Sequence, residues 1–234
     1  MNKNNVWFIT AKTNLHVGNE NTSSYGLIDL AVQRNVTTNL PCINSSSLKG
    51  ALNEYAAQVA KLESEDLIRI FGSDKVKKED GKNRNSDTQK GQYTFFDANI
   101  LFLPKQSETN LFELVTCDSV LHRFFNLVKL LTGVDVSEAD LKGRFTYTKV
   151  TEEDFKDLCS DDNLPIIARN VLENGESKNL WYEQVVPAET VFYTIIDERA
   201  DGKLTEKLLA ENAIVQIGAN ATIGYGYCKF TNLK

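Results

Sequence analysis

Histidine occurs only at His16 and His122, so a two-histidine acid–base mechanism has little to draw on. Asp29 stands between Ile28 and Leu30. A carboxylate among aliphatic neighbours must be paired, exposed in a loop, or functional. His16 lies upstream of it and titrates near neutrality, so it could orient a substrate or move a proton. Arg34 lies just downstream and adds a fixed positive charge. No nucleophile elbow, HExxH helix or paired-carboxylate motif accompanies them. Cys42, Cys117, Cys159 and Cys228 are scattered and form no CxxC pair, which argues against a zinc site and suits reduced thiols.

Two segments have the chemistry of phosphate contacts. In Asn44-Ser45-Ser46-Ser47-Leu48-Lys49-Gly50, Ser46, Ser47 and Lys49 fall at the start of an expected helix, where unpaired N–H groups and the helix dipole favour an anion. A serine cap beside a solvated lysine would give the same pattern. In Gly218-Ala219-Asn220-Ala221-Thr222-Ile223-Gly224-Tyr225-Gly226, the glycines let backbone approach a ligand closely. Asn220 and Thr222 supply side-chain polar groups. The run is neither GxGxxG nor GK[ST], and a plain hairpin turn would also account for it. A third candidate surrounds Asn174-Gly175, where Arg169, Lys178 and Trp181-Tyr182 could form a projecting arm that meets bases or backbone.

These residues need elements to hold them. Val6 to Val17 is rich in β-branched and aromatic residues and reads as a strand. From Leu48, the positions Leu52, Tyr55, Ala56, Val59 and Leu62 recur at helical spacing. Ser64 to Phe71 predicts a second helix ended by Gly72, and Val120 to Leu131 a third closed by Gly133. Strands are expected over Tyr93 to Leu103, ended by Pro104, and over Arg144 to Val150 and Glu189 to Ile196. A hairpin is expected from Ile166 to Leu172 and Leu180 to Val186. Leu204 to Ala210 predicts a short helix, and Ile214 to Phe230 two strands around the glycine-rich turn. Ser73 to Lys90 is charged and nearly devoid of aliphatic residues, and reads as a flexible insertion. Strands and helices interleave without regular βα alternation, so the expected class is α+β with a mainly antiparallel sheet in a single domain spanning 1–234.

The 234 residues hold 41% hydrophobic and 25% charged residues, ordinary for a globular chain. Met1 to Asn19 shows no secretory pattern, and no stretch is long and apolar enough to span a bilayer, so a cytoplasmic protein without membrane contact is expected. The net charge of −6 and pI near 5.1 run against the basic footprint of a free-standing nucleic-acid binder. RNA binding would therefore need a local basic or backbone-amide surface, or positive charge from partners.

Read in order, the segments resemble the RAMP superfamily of CRISPR-associated proteins, and within it the backbone, target-cleaving subunits of type III-B (Cmr) effector complexes. The resemblance is carried by Leu15-His16-Val17-Gly18, Gly26-Leu27-Ile28-Asp29-Leu30 with Gln33-Arg34, Leu40-Pro41, and Ser46-Ser47-Leu48-Lys49-Gly50-Ala51-Leu52. It continues through Phe71-Gly72-Ser73, Phe96-Asp97-Ala98, Leu164 to Asn170, Asn179 to Glu183, Val186 to Thr190, and Gln216 to Gly226. Ala219 departs from the glycine usual in the family, and Ala31 from the common proline.

The resemblance implies a ferredoxin-like or RRM-like palm and a thumb-like hairpin at about 165–186. It implies binding to a guide CRISPR RNA as stacked copies, alongside other subunits of the effector complex, and cleavage of complementary target RNA at regular intervals. Asp29 aligns with the cleaving aspartate, acting as a general base or holding Mg²⁺ or Mn²⁺, with His16 as a helper. Arg34, Ser46, Ser47, Lys49, Arg169, Gly218, Asn220, Thr222 and Gly224 are the expected RNA contacts. A non-cleaving RNA-binding scaffold and a guide-processing endoribonuclease of the same superfamily are the alternatives. Without the resemblance, an α+β domain with a glycine-lined small-ligand pocket would fit the residues.

Overall fold

The computed structural model describes residues 5–18, 28–73, 89–173, 176–198, 202–210 and 213–233. The strands are β1 (Val6–Ala11), β2 (Cys42–Ile43), β3 (Tyr93–Phe95), β4 (Ala98–Lys105), β5 (Glu113–Thr116), β6 (Tyr147–Lys149), β7 (Ile166–Glu173), β8 (Glu176–Gln184), β9 (Val191–Glu198), β10 (Ile214–Gln216) and β11 (Tyr227–Asn232). The helices are α1 (Ser45–Gln58), α2 (Ser64–Phe71), α3 (Asp118–Thr132), α4 (Glu138–Lys142), α5 (Glu152–Leu158) and α6 (Lys203–Ala210). Most of the charged insertion (74–88), the dipeptide Gly26-Leu27 and the hairpin turn Asn174-Gly175 lie outside the described residues.

The main sheet runs β10-β11-β1-β9-β4-β5-β6, with β2 on β4 and β3 on β9. Every pairing in it is antiparallel except β5 with β6. At its centre the order β11-β1-β9-β4, with helices between β1 and β4 and between β9 and β11, is the ferredoxin-like βαββαβ arrangement. The connection from β4 to β9 has grown to include α3, α4, α5 and the separate hairpin β7–β8. The fold is therefore the expected α+β palm with a projecting hairpin.

Central position explains why β1 is apolar at successive positions. Val6, Trp7, Phe8 and Ile9 are all fully buried, because both faces of the sheet are covered there. Phe124 of α3 packs on Phe8 and Tyr193, while Trp7 meets Phe230. In α1 the expected Leu48, Leu52, Tyr55 and Ala56 are the buried face, whereas Val59 lies outside the helix and is exposed.

Several elements differ from expectation. The first strand stops at Ala11, and Leu15 makes only an isolated bridge to Val186. The run from Tyr93 breaks into β3 and β4, and Pro104 sits inside β4 opposite Leu114. The short helices α4 and α5, and strand β5, were not anticipated. Both helices carry local start signals. Ser137 and Asp140 form a capping box, and Thr151 caps an acidic first turn of Glu152, Glu153 and Asp154.

Candidate functional site

The segment from Ile28 to Arg34 runs extended between two edges. Val32 bridges Gly18 on one side, and Leu30 bridges Glu183 at the root of the hairpin on the other. Asp29 is exposed. Its backbone N–H donates to Tyr182 O (3.0 Å), and the Tyr182 N–H donates back to Asp29 Oδ2 (2.7 Å). This reciprocal pair fixes the carboxylate against β8 and leaves Oδ1 without a hydrogen bond to any described residue. A charge-assisted N–H bond of this length is strong, so the rotamer is held even though the side chain faces solvent.

The next residue of β8, Glu183, is a buried carboxylate, 2% exposed. Such a charge needs partners, and it has three kinds. Arg169 Nε of β7 lies 3.5 Å from Oε2, and Asn220 Nδ2 of the terminal loop donates to Oε1. His16 Nδ1 lies 3.7 Å away while hydrogen-bonding to Gln184 O at 2.7 Å. The Gln184 carbonyl can only accept, so Nδ1 carries the proton and Nε2 faces Gly18. Arg169 also donates to Asn220 Oδ1 (2.9 Å) and lies over the Tyr225 ring, 5.4 Å from its centroid. Both strands of the hairpin are thereby tied to the terminal loop. That loop packs on the His16 segment through Ala219 N–H to His16 O (2.9 Å). Gly218, at φ +83°, sits where a Cβ would come within 2.2 Å of the same oxygen.

Gln184, also fully buried, spans the remaining gap. Its N–H donates to Leu30 O (2.9 Å), and its side-chain Oε1 accepts from Val32 N–H (3.3 Å). Its Nε2 donates to Asp161 Oδ1 (3.1 Å). Asp161 in turn accepts from Arg34 Nη2 (2.7 Å), and Arg34 Nη1 donates to the carbonyls of Asn39 and Cys159, both at 2.8 Å.

At the start of α1 the Asn44 side chain makes no capping bond. Asp97 fills that role from β4's approach, accepting from Ser45 N–H at 2.7 Å. Its charge, with burial as the larger cause, pushes the Cys42 thiol up to about 11. Gln33 joins the same region to the Asp29 segment. Oε1 accepts from Asn44 N–H (2.8 Å), while Nε2 donates to Gly18 O and Ser47 Oγ, both at 3.1 Å. Ser46 is exposed, and Lys49 is half-buried and pairs with no acid among the described residues.

The expected site residues thus divide. Asp29, Ser46, Gly218, Thr222 and Gly224 are exposed, with Ser47 and Lys49 beside them partly so. Arg169 and Asn220 face the same loop but spend their polar groups on Glu183 and on each other. Two residues are turned inward. His16 is 3% exposed with Nδ1 bonded to Gln184 O at the root of β8. The Arg34 side chain is only 12% exposed, and its terminal nitrogens are engaged by the Asn39 and Cys159 carbonyls and by Asp161. Gln184 was not singled out, and Glu183, Gln33 and Asp97 entered only as members of the resembling runs, with no role assigned. A Glu-Gln pair closing an amphipathic strand just before Val185-Val186 is the one local signal that could have marked the first two.

Among the described residues no group of three or more His, Cys, Asp or Glu side chains converges as a metal centre. A Mg²⁺ at Asp29 would have one carboxylate here and would need substrate phosphate and water for the rest, a sparse set of the kind such ions commonly accept. A cavity of about 260 Å³ opens elsewhere, between the 35–41 turn and the starts of α3 and α5. Neither Asp29 nor the hairpin lines it.

The chain is similar to the Cmr endoribonuclease Cmr4 of the Pyrococcus furiosus CRISPR system, with 26% identity over 88% of each chain. In fold it matches a chain of the type III-B Cmr-beta complex bound to cognate target RNA, at a TM-score of 0.72, 18% identity and 97% and 96% coverage of the two chains. It also matches oligomeric Cmr4 from Pyrococcus furiosus, at a TM-score of 0.67, 22% identity and 98% coverage of each. No described helix is long and apolar enough to cross a membrane. The RAMP superfamily model matches residues 8–229, nearly the whole palm and the hairpin together, and the chain belongs to that superfamily.

Proposed function

We propose that this chain is a backbone subunit of a type III-B CRISPR ribonucleoprotein in the cytoplasm, stacking in several copies along a guide RNA and cutting the complementary target RNA. The observation that carries the reading is the Asp29 carboxylate. It is exposed, clamped through one oxygen to the root of the hairpin and without a hydrogen bond to any described residue at the other, in a chain similar over most of its length to an endoribonuclease.

The chemistry that needs least from the protein uses the RNA's own 2′-hydroxyl. Asp29 Oδ1 accepts its proton, directly or through a water, and the 2′-oxygen forms a bond to the adjacent phosphorus. The bond to the departing 5′-oxygen breaks, and that oxygen takes up a proton. The products are a 2′,3′-cyclic phosphate and a 5′-hydroxyl. In-line attack requires the nucleotide to be splayed from the duplex, which is the role assigned to the hairpin, and such positioning lowers barriers substantially. The alternative role for Asp29 is to hold Mg²⁺ or Mn²⁺ in place of acting as the base, in which case the metal would supply charge neutralisation there. Ser46, Ser47 and Lys49 would hold phosphate at the α1 start, where Asp97 already occupies the first N–H. Gly218, Thr222 and Gly224 would bring the terminal loop against the backbone. His16 and Arg34 act only through the elements they brace.

The test is target cutting by the assembled ribonucleoprotein, wild type against Asp29→Asn, with guide and target binding measured in parallel. Asn keeps an oxygen for the Tyr182 N–H but removes the base and the charge. The expected result is intact binding and a loss of cutting of about 100-fold or more, the lower end of what a general base contributes. Normal cutting by the variant would leave a binding-only scaffold. Cutting that survives chelation of divalent metal would remove the metal from the mechanism.

A further inference from the structure

The Asp29 segment is joined to the hairpin by an unusual ladder. Backbone bonds link Asp29 with Tyr182 and Leu30 with Gln184, and then the backbone pairing stops. The Gln184 side chain continues it, taking the Val32 N–H through Oε1. Its Nε2 reaches across to Asp161, whose carboxylate also holds Arg34 from the far end of the same segment. The amide's orientation is chemically determined: Val32 N–H can only donate, and the Asp161 carbonyl and carboxylate can only accept. Asp161 precedes β7, and Val185 N–H returns to Pro165 O, so both ends of the hairpin meet at this knot.

We infer that Gln184 is a positioning residue for cleavage, fastening the Asp29 segment to the root of the hairpin so that the carboxylate keeps its place against β8. This rests on Asp29 being the cleaving residue. Its consequence is that seating the hairpin in RNA and placing Asp29 at the scissile phosphate become one event. The buried amide makes no contact outside the protein, so it acts on rate only through where Asp29 stands.

The experiment uses the full chain assembled with its guide RNA and companion subunits. It compares single-turnover cutting at saturating target, target affinity and thermal midpoint for the wild type, Q184L, Q184E, the pair Q184E/D161N, and D29N. Q184L removes both side-chain bonds. Q184E keeps an acceptor for Val32 but sets two carboxylates against each other, and adding D161N restores a donor to the contact. A misplacement of about 1 Å can cost on the order of 100-fold in rate, so Q184L and Q184E should cut about 10- to 100-fold more slowly. Target affinity should stay within about twofold, and Q184E/D161N should recover most of the rate by remaking the bond. Q184L cutting at the wild-type rate, or rate and target affinity falling in parallel, would overturn the inference while leaving Asp29 catalytic. If Q184L does not assemble, the comparison of Q184E with Q184E/D161N decides: recovery supports the inference and equal rates overturn it. Cutting by D29N would instead bring down the reading on which it rests.

Discussion

Asp29 and Glu183 lie on paired segments, yet their surroundings assign them opposite work. Glu183 is enclosed, with Arg169, Asn220 and His16 around it, so its charge is consumed in holding the hairpin to the terminal loop. Asp29 is exposed, and while Oδ2 takes the Tyr182 N–H, Oδ1 meets no donor among the described residues. The cysteines show the same control by environment. Burial pushes Cys159 and Cys228 up to about 12, and Cys42 up to about 11 with help from Asp97. The folded state therefore holds these protons more tightly than the unfolded chain, whose thiols ionise near 9. Below that pH both states are protonated and nothing is lost. As pH rises from about 9 towards 12 the unfolded state sheds protons first, so stability falls across that window. Denaturation midpoints at pH 8 and pH 10.5 should differ, and Cys228→Ala should flatten the drop. An unchanged slope in that variant would mean that other groups carry the alkaline loss.

The terminal loop shows how an element can be legible in outline and opaque in purpose. Gly218 and Gly224 have nearly identical backbones, φ +83° and +84°, but a Cβ at Gly224 would meet nothing within 4 Å. At Gly218 it would run into the His16 carbonyl. Gly224→Ala should therefore cost only the left-handed penalty, about 1–2 kcal/mol. Gly218→Ala should cost clearly more and also loosen the loop from His16. Equal losses in chemical denaturation would show that the loop can retreat from that segment. From sequence the two glycines look alike, because the difference lies in a neighbour 200 positions away. The same limit hid the protein contacts of His16 and Arg34. Residue type marked them as reactive or basic, but only the topology, by placing Gln184 and Asp161 beside them, turns them inward. What depends on local periodicity or capping was readable: α1, α2, α3, the hairpin and the strands around the final turn. The break between β3 and β4, and the two-residue β2, are set by long-range pairing with β9 and β4 and leave little mark on their own residues. Asp29 itself was visible because a charge within an aliphatic run stands out without any structure.

At the scale of the whole molecule, the proposed function asks how a chain of net charge −6 would hold a polyanion. Much of its positive charge is spoken for. Lys12, Arg34, Arg69, Lys129, Lys142, Lys149, Lys156, Arg169, Lys178 and Lys203 all lie in ion pairs with acids. These pairs stitch loops and helices together, but they also withdraw cations from any phosphate. Lys49 is different: it stands one turn into α1, near exposed Ser46, with no acidic partner among the described residues. A chain built this way should bind RNA with few ionic contacts of its own and lean on neighbouring copies and partner subunits for the rest. The salt dependence of guide binding measures this directly, because each phosphate neutralised on a single strand contributes about −0.7 to the slope of log K against log salt. Lys49→Ala should weaken binding for all guide sequences alike and make the slope shallower by about 0.7 for each copy seated on the RNA. Lys156→Ala, which removes a cation already paired with Glu152, should leave the slope unchanged. If both substitutions shift it equally, pairing within the chain does not decide which cations reach RNA, and the acidic balance must be offset by redistribution on assembly.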